Sequence, residues 1–210
     1  VLEAVTGLVL AQLPIPDKES EVTNIPKLLS YLDICESTIT ADALNTQTSV
    51  MEQIISQGGH FVLMVKRNQP NSYDEIVRQF EGMKADRKRR EGNPACQTRY
   101  PELSQKYDEV SYAEKNRDRY EYREYRIIND ASFVAKTTEE WPFLKSVGYV
   151  EQTRILIVRD EDGNDITPSK EKFLLEGSPR QPSPGKGDRE GDDIQIVGII
   201  SDRELNAKEM

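Results

Sequence analysis

Ser37-Thr38-Ile39-Thr40-Ala41-Asp42-Ala43-Leu44-Asn45-Thr46-Gln47 reads as a short buried strand that ends on a carboxylate and gives way at once to a helix. Thr38, Ile39 and Thr40 are β-branched, as a strand favours. Asn45 or Thr46 is placed to cap the helix, which runs through Val50, Met51, Ile54 and Ile55 and stops at Gly58-Gly59. A second strand, His60 to Lys66, leads into Lys66-Arg67-Asn68-Gln69. Strand, acid, helix, strand and polar cluster form the pattern of an α/β site at the carboxyl ends of neighbouring strands. An Asp at a strand end is in general more often a turn or cap residue than a catalyst. The pattern alone leaves both roles open for Asp42.

Working outward, Val1 to Ile15 reads as the end of one strand and a second strand turning near Thr6-Gly7, with Leu8-Val9-Leu10-Ala11 as a buried apolar run. Ile25, Leu28, Leu29 and Leu32 fall at helical spacing, with Asn24 as cap and Pro26 in the first turn. The expected order up to Lys66 is β-β-α-β-α-β. Beyond Pro70, Ser72 can cap a long helix with Tyr73, Ile76, Val77, Phe80 and Met83 on its buried stripe and Lys84 to Arg90 as a basic tail. Gly92 to Pro101 reads as a loop. From about Tyr107 the period becomes two. One face of the next strand carries Arg117, Arg119, Glu121, Arg123 and Tyr125, and the other Asp118, Tyr120, Tyr122, Glu124, Arg126 and Ile128. A further strand is expected over Gly148 to Arg159, centred on Ile155 to Val158 and closed by Asp162-Gly163. Trp141 reads as core. A Pro/Gly/Ser-rich loop covers Ser178 to Asp193, a last strand Ile194 to Ile200, and the start of a helix Glu204 to Met210.

Composition narrows the function classes. The 210 residues are 36% hydrophobic and 31% charged, with mean hydropathy −0.68, and no run approaches the length of a membrane span. Cys35 and Cys96 match no metal spacing and read as reduced thiols of a cytoplasmic protein. His60 is the single histidine, which argues against zinc sites and histidine-based triads. A net charge of −9 does not suggest nucleic-acid binding, but binding needs only a local basic stripe, and two exist: Lys84 to Arg90 and Lys115 to Arg126. Pro184-Gly185-Lys186-Gly187 lacks the spacing of a phosphate loop.

Five stretches in order resemble the DDE transposases of bacterial insertion sequences, in the H-repeat-associated branch. Thr40-Ala41-Asp42-Ala43-Leu44-Asn45-Thr46-Gln47 is similar to that family's T-[IV]-D-A-[LM]-x-x-Q, with Ala where a branched residue often sits. Gly58 to Gln69 resembles its Gly-rich turn and strand ending L-x-x-K-x-N-Q, and Glu21 to Leu29 its E-I-x-x-I-P-x-L-L. Arg117-Asp118-Arg119-Tyr120-Glu121-Tyr122-Arg123 keeps the R-x-E-x-R of its H-G-R-x-E-x-R but not the His-Gly. Trp141 to Gly148 is similar to its W-P-x-[LV]-K-[ST]-[IV]-G.

The resemblance implies a ribonuclease-H-like α/β fold, a mixed sheet with flanking helices and a β-rich insertion. Residues 1–90 would belong to the catalytic core, 91–193 to the insertion, and 194–210 to a return strand and the start of a helix. It implies phosphoryl transfer assisted by two Mg²⁺ or Mn²⁺ ions about 3.5–4 Å apart, held by carboxylates. Of the family's three acids only the middle one maps here, onto Asp42, as metal ligand and catalytic residue. The expectation is therefore the central portion of a transposase, inactive by itself and binding no metal alone. The alternative is a non-catalytic DNA-binding or interaction module derived from a decayed transposase. Implied partners are DNA, both insertion-sequence ends and target, and a second copy in a homodimer; no membrane is implied, and the protein would work at the bacterial nucleoid.

Several side chains carry two readings. Lys66, Asn68 and Gln69 either face DNA beside Asp42 or form a polar loop that caps the next helix. Arg117, Arg119 and Arg123 either follow a DNA backbone or salt-bridge through Glu121 on an exposed strand. Glu121 is either a substitute second acid or a member of the insertion that contacts DNA or its arginine neighbours. Lys84 to Arg90 is either a solvated helix end or a DNA contact. Asp33 and Glu36 precede the Asp42 strand, at its opposite end, and so supply no second acid.

Overall fold

The computed structural model describes residues 1–14, 21–93, 95–100, 106–167, 170 and 194–209. It is a mixed α/β fold built on one open six-stranded sheet. The elements are α1 (Glu21–Leu29), β1 (Thr38–Ala41), α2 (Thr48–Ser56), β2 (His60–Val65), α3 (Pro70–Gly92), β3 (Tyr107–Lys115), β4 (Arg119–Ile128), α4 (Ala135–Glu140), β5 (Ser146–Leu156) and β6 (Ile194–Ser201). Strand order is β1-β2-β6-β5-β4-β3; β1 and β2 are parallel, and every other pairing is antiparallel.

Side-chain alternation explains which face is filled. Phe61, Leu63 and Val65 of β2, Val147 and Tyr149 of β5, and Ile200 of β6 are fully buried, and they join Val50, Met51 and Ile54 of α2 and Ile76 and Phe80 of α3 in one core. A Cβ at Gly198 would sit 3.1 Å from Ile76 Cδ1 and 3.3 Å from Val65 Cβ, so α3 rests directly on the β2–β6 junction. Phe80 stacks on Tyr149 at 5.4 Å between ring centroids, and burial lifts the Tyr149 phenol well above its usual range, reinforced by its hydrogen bond to Glu81. Trp141 is core, as expected: its indole N–H donates to Ser72 Oγ at 2.7 Å. On the neighbouring turn of α3, Glu75 accepts both the backbone N–H and the hydroxyl of Thr137, tying α3 to α4.

The α2–β2 turn needs both its glycines. Gly58 has φ +74°, and a Cβ at Gly59 would lie 2.9 Å from the Ile34 carbonyl oxygen. His60 has a structural role: Nδ1 lies 2.8 Å from Asp202, whose other oxygen accepts the Phe61 N–H at 2.7 Å. The end of β6 is thereby fastened to the start of β2.

Six expectations change. Leu8 to Ala11 is not a buried strand; Leu8, Val9 and Leu10 are exposed, and among the described residues this segment pairs with Val1 to Glu3 around the isolated Leu2–Val9 bridge. A two-stranded turn outside the sheet has nothing on which to bury its apolar side chains. β1 is a half-buried edge strand, with Thr38 and Thr40 exposed, because among the described residues only β2 pairs with it. α1 starts at Glu21, so Pro26 lies inside it rather than in its first turn. Gln47 and Gln69, not Asn45, Thr46 or Ser72, precede α2 and α3; Ser72 is spent on Trp141 and Glu140, and Pro70 opens α3. β5 begins at Ser146 and ends at Leu156; Ser146 to Tyr149 are buried continuously and Glu151, Thr153 and Ile155 in alternation, so of the expected apolar centre Ile155 is buried while Leu156 and Val158 are exposed. Residues 207–209 form a 3-10 turn instead of an α-helix. The expected loop 178–193, including Pro184 to Gly187, lies outside the described residues. Cys35 and Cys96 are free thiols, and no helix among the described residues is long and apolar enough to cross a membrane.

Candidate functional site

Because β1 and β2 run parallel, Asp42 and Lys66, each the first residue past its strand, emerge at the same end of the sheet. The backbone there is sewn together by side chains of the two sequence stretches. Thr46 is fully buried; its hydroxyl lies 2.6 Å from the Met64 carbonyl and 3.2 Å from that of Asp42, and its one proton serves the nearer. The Gln69 amide donates to the Ala43 carbonyl at 2.6 Å and the Thr46 carbonyl at 3.2 Å, while its oxygen accepts the Lys66 N–H. Asn68 Nδ2 adds a second bond to the Ala43 carbonyl at 2.8 Å.

The loop after β1 and the loop after β2 are thus one unit. Its outer surface carries an exposed carboxylate, Asp42, and two exposed cations, Lys66 and Arg67. Asp42 Oδ1 accepts from Asn45 Nδ2 at 2.8 Å and from the Asn45 N–H at 3.3 Å, which makes an Asx-type turn. No hydrogen bond to Oδ2 occurs among the described residues, so one hard carboxylate oxygen faces outward. Asn45 Oδ1 is buried without a hydrogen-bond partner. No group of three His, Cys, Asp or Glu side chains that could hold a metal ion exists among the described residues. Asp42 therefore offers one ligand of the right chemistry and does not by itself make a divalent-metal site. Asp33 and Glu36 precede β1, at the opposite end of the sheet.

Glu121 is not brought to Asp42. It lies on β4, four strands from β1, roughly 19 Å away by strand spacing alone. It is a buried carboxylate, 5% exposed, held by Arg119 Nε at 2.8 Å, Arg123 at 2.7 Å and Gln152 Nε2 at 3.3 Å. Arg154 of β5 stands opposite it in register, with Nε 3.8 Å from Oε1. Sequence reasoning missed Arg154; the signal was its place on the same alternating face of β5, usable only once the β4–β5 register is known. Arg117, in the β3–β4 turn, is exposed.

The basic tail of α3 is largely neutralised. Lys84 pairs with Glu151, Arg87 with Glu109, and Arg89 and Arg90 both with Asp86. The Arg89 hydrogen bond holds the Asp86 carboxyl below its usual range despite burial, helped by the Arg99 N–H and the Thr98 hydroxyl. An open cavity of about 540 Å³ lies between this tail and β3–β4, lined by Phe80, Met83, Tyr100, Tyr107 and these ion pairs. Burial pushes the carboxyl of Glu109 on its wall up, but the hydrogen bonds from Arg87 and the Tyr107 hydroxyl outweigh it and hold the group below its usual range.

Comparison with known proteins gives bacterial relatives. The "Uncharacterized protein in dhlA 3'region" of Xanthobacter autotrophicus is 32% identical over 151 residues, 72% of this chain and 45% of that protein. The "H repeat-associated putative transposase YhhI" of Escherichia coli K12 is 29% identical over 161 residues, 77% of this chain and 38% of the relative. Over 63 residues, the "H repeat-associated putative transposase YbfD" of the same organism reaches 41% identity, 30% of this chain and 25% of the relative. The chain spans less than half the length of each. No family model matches it, and no solved structure does.

Proposed function

The chain is a homologue, over part of their length, of the H-repeat-associated transposases, and from that premise we propose that it is the part of a DNA-processing protein that presents one acidic metal ligand beside a DNA-facing surface. DNA is the partner. The fold is taken as ribonuclease-H-like, with residues 1–90 and 194–210 as core and 91–193 as a β-rich insertion whose strands extend the same sheet. One observation carries the reading: Thr46, Asn68 and Gln69, drawn from two separate matched stretches, hold the loop that presents Asp42 at the carboxyl end of β1. Conserving the geometry of one exposed acid is work for hydrogen bonds that a mere surface turn does not need.

Asp42 would be one ligand of a Mg²⁺ or Mn²⁺ ion, and Lys66 and Arg67 beside it would meet phosphate oxygens. Bound metal would supply charge neutralisation at a phosphodiester and a polarised oxygen nucleophile. The resemblance maps only one of three acids onto this sequence, so on this reading the 210-residue chain alone cuts no DNA. Asn68 and Gln69 act here on the backbone of the Asp42 loop, which corresponds to the polar-loop reading of these residues. The test is a strand-cleavage assay on labelled duplex with Mg²⁺ and with Mn²⁺. The expected result is no product. Metal-dependent cleavage that disappears in Asp42→Asn would mean that this chain holds a complete centre and would overturn the assignment of a single ligand.

A further inference from the structure

Resting on the reading that DNA is the partner, we infer that Arg119, Arg123 and Arg154 form a clamp for the phosphate backbone of duplex DNA, and that buried Glu121 is the group that positions them. A carboxylate 5% exposed on the open face of a sheet is costly unless cations meet it. Here three guanidiniums converge on one such carboxylate. Arg119 and Arg123 each give it one short hydrogen bond, and Arg154 Nε lies 3.8 Å away, buried, without a hydrogen-bond partner among the described residues. Each guanidinium has five N–H donors, so most of the set is left over. The side chains of Arg119, Arg123 and Arg154 remain 40%, 34% and 40% exposed.

Charge balance separates this face from the rest of the chain. On α3, Lys84 is met by Glu81 and Glu151, Arg87 by Glu91 and Glu109, and Asp86 answers Arg89 and Arg90. Around Glu121, three cations meet one buried acid, and the second acid, Glu114, reaches only Arg123, at 3.6 Å. A local surplus of positive charge in a chain of net charge −9 is a specific feature. Because Arg119 and Arg123 hydrogen-bond the two oxygens of one carboxylate, at 2.8 and 2.7 Å, their guanidiniums are held side by side as one compact donor patch. The planar fork of Arg fits phosphate oxygens, and Glu121 removes the rotamer freedom that would otherwise be lost on binding. Glu121 is a positioning residue and touches no DNA.

The probe is a fluorescein-labelled random-sequence 25-base-pair duplex, titrated with the full 210-residue chain by anisotropy from about 0.05 to 0.2 M salt, the range over which phosphate contacts are resolved. Arg154→Ala and Arg154→Gln are each expected to weaken binding by about fivefold or more and to lower the log–log salt slope by about one. Melting temperature, followed in parallel, keeps a folding defect from passing as a binding defect, and Arg154→Gln retains the stem if Arg154→Ala unfolds. Lys88→Ala, on α3 against the opposite face of the sheet, is expected to leave affinity and slope unchanged. Wild-type affinity and slope in both folded Arg154 variants would overturn the clamp while DNA binding stands. Failure of the wild-type chain to bind the duplex would remove the underlying reading together with the clamp.

Discussion

The two ends of the sheet hold their carboxylates in opposite ways. At the β1–β2 end Asp42 is exposed, and the protein spends hydrogen bonds on the backbone around it; the carboxylate keeps an oxygen facing outward. At the β4–β5 end Glu121 is buried, and both its oxygens are taken by arginine and glutamine side chains. The first arrangement presents an acid for use by something else. The second uses up an acid to arrange cations. Charge and residue type are alike in the two places, and only the neighbours decide which group is left to act.

The largest effect is expected where this contrast rests on packing. Phe61→Ala, fully buried at the start of β2, should cost about 3–5 kcal/mol in urea unfolding, whereas Tyr112→Ala at the exposed β3 edge should stay within about 0.5 kcal/mol. Similar losses at both positions would mean that the β3 edge is packed as tightly as the core. An intermediate effect is expected for Gln69→Ala, which removes the donors to the Ala43 and Thr46 carbonyls. Unfolding should show a loss of about 1–3 kcal/mol. A neutral result would dismiss the staple and return Asp42 to an ordinary surface turn.

The smallest effect concerns the ion pairs on α3. With its carboxyl held below the usual range first by Arg89, Asp86 contributes stability that is complete above about pH 4, the ordinary range of the unfolded group, and fades as pH falls through the depressed folded value. Asp86→Asn should therefore melt below wild type at neutral pH, with the gap closing as the solution is acidified below about pH 4. A gap that persists unchanged in acid would locate the contribution of Asp86 outside its charge.

Much of the core was legible from periodicity. Ile76, Phe80 and Tyr73 fall on one helical stripe, and the alternation of Arg119 to Ile128 anticipates a strand with two different faces. The resemblance on five stretches placed the chain beside relatives that the comparisons then supplied. Local chemistry misled where an element's fate depends on a neighbour: Leu8 to Leu10 has the apolar run of a buried strand but no sheet to enter, and Ser72 has the chemistry of a cap but is drawn to Trp141. The candidate site was half legible. Asp42 stands out as an acid at a strand end, but nothing in the order of residues tells that Asn68 and Gln69 point their amides at the Ala43 carbonyl.

By itself, then, the sequence determined most of the alternation of helix and strand, the apolar stripes of α2 and α3 and the position of one acid at a strand end. These follow from local rules: a 3.6-residue or two-residue period, glycine where φ is positive, proline where a donor is not needed. Only the tertiary structure decided which acids remain free. Arg154 meets Glu121 because β5 lies beside β4 in that register, and His60 meets Asp202 across 142 positions of chain. Ion pairs and side-chain hydrogen bonds act over a few ångströms, so their partners are fixed by where the backbone returns, which no local period encodes.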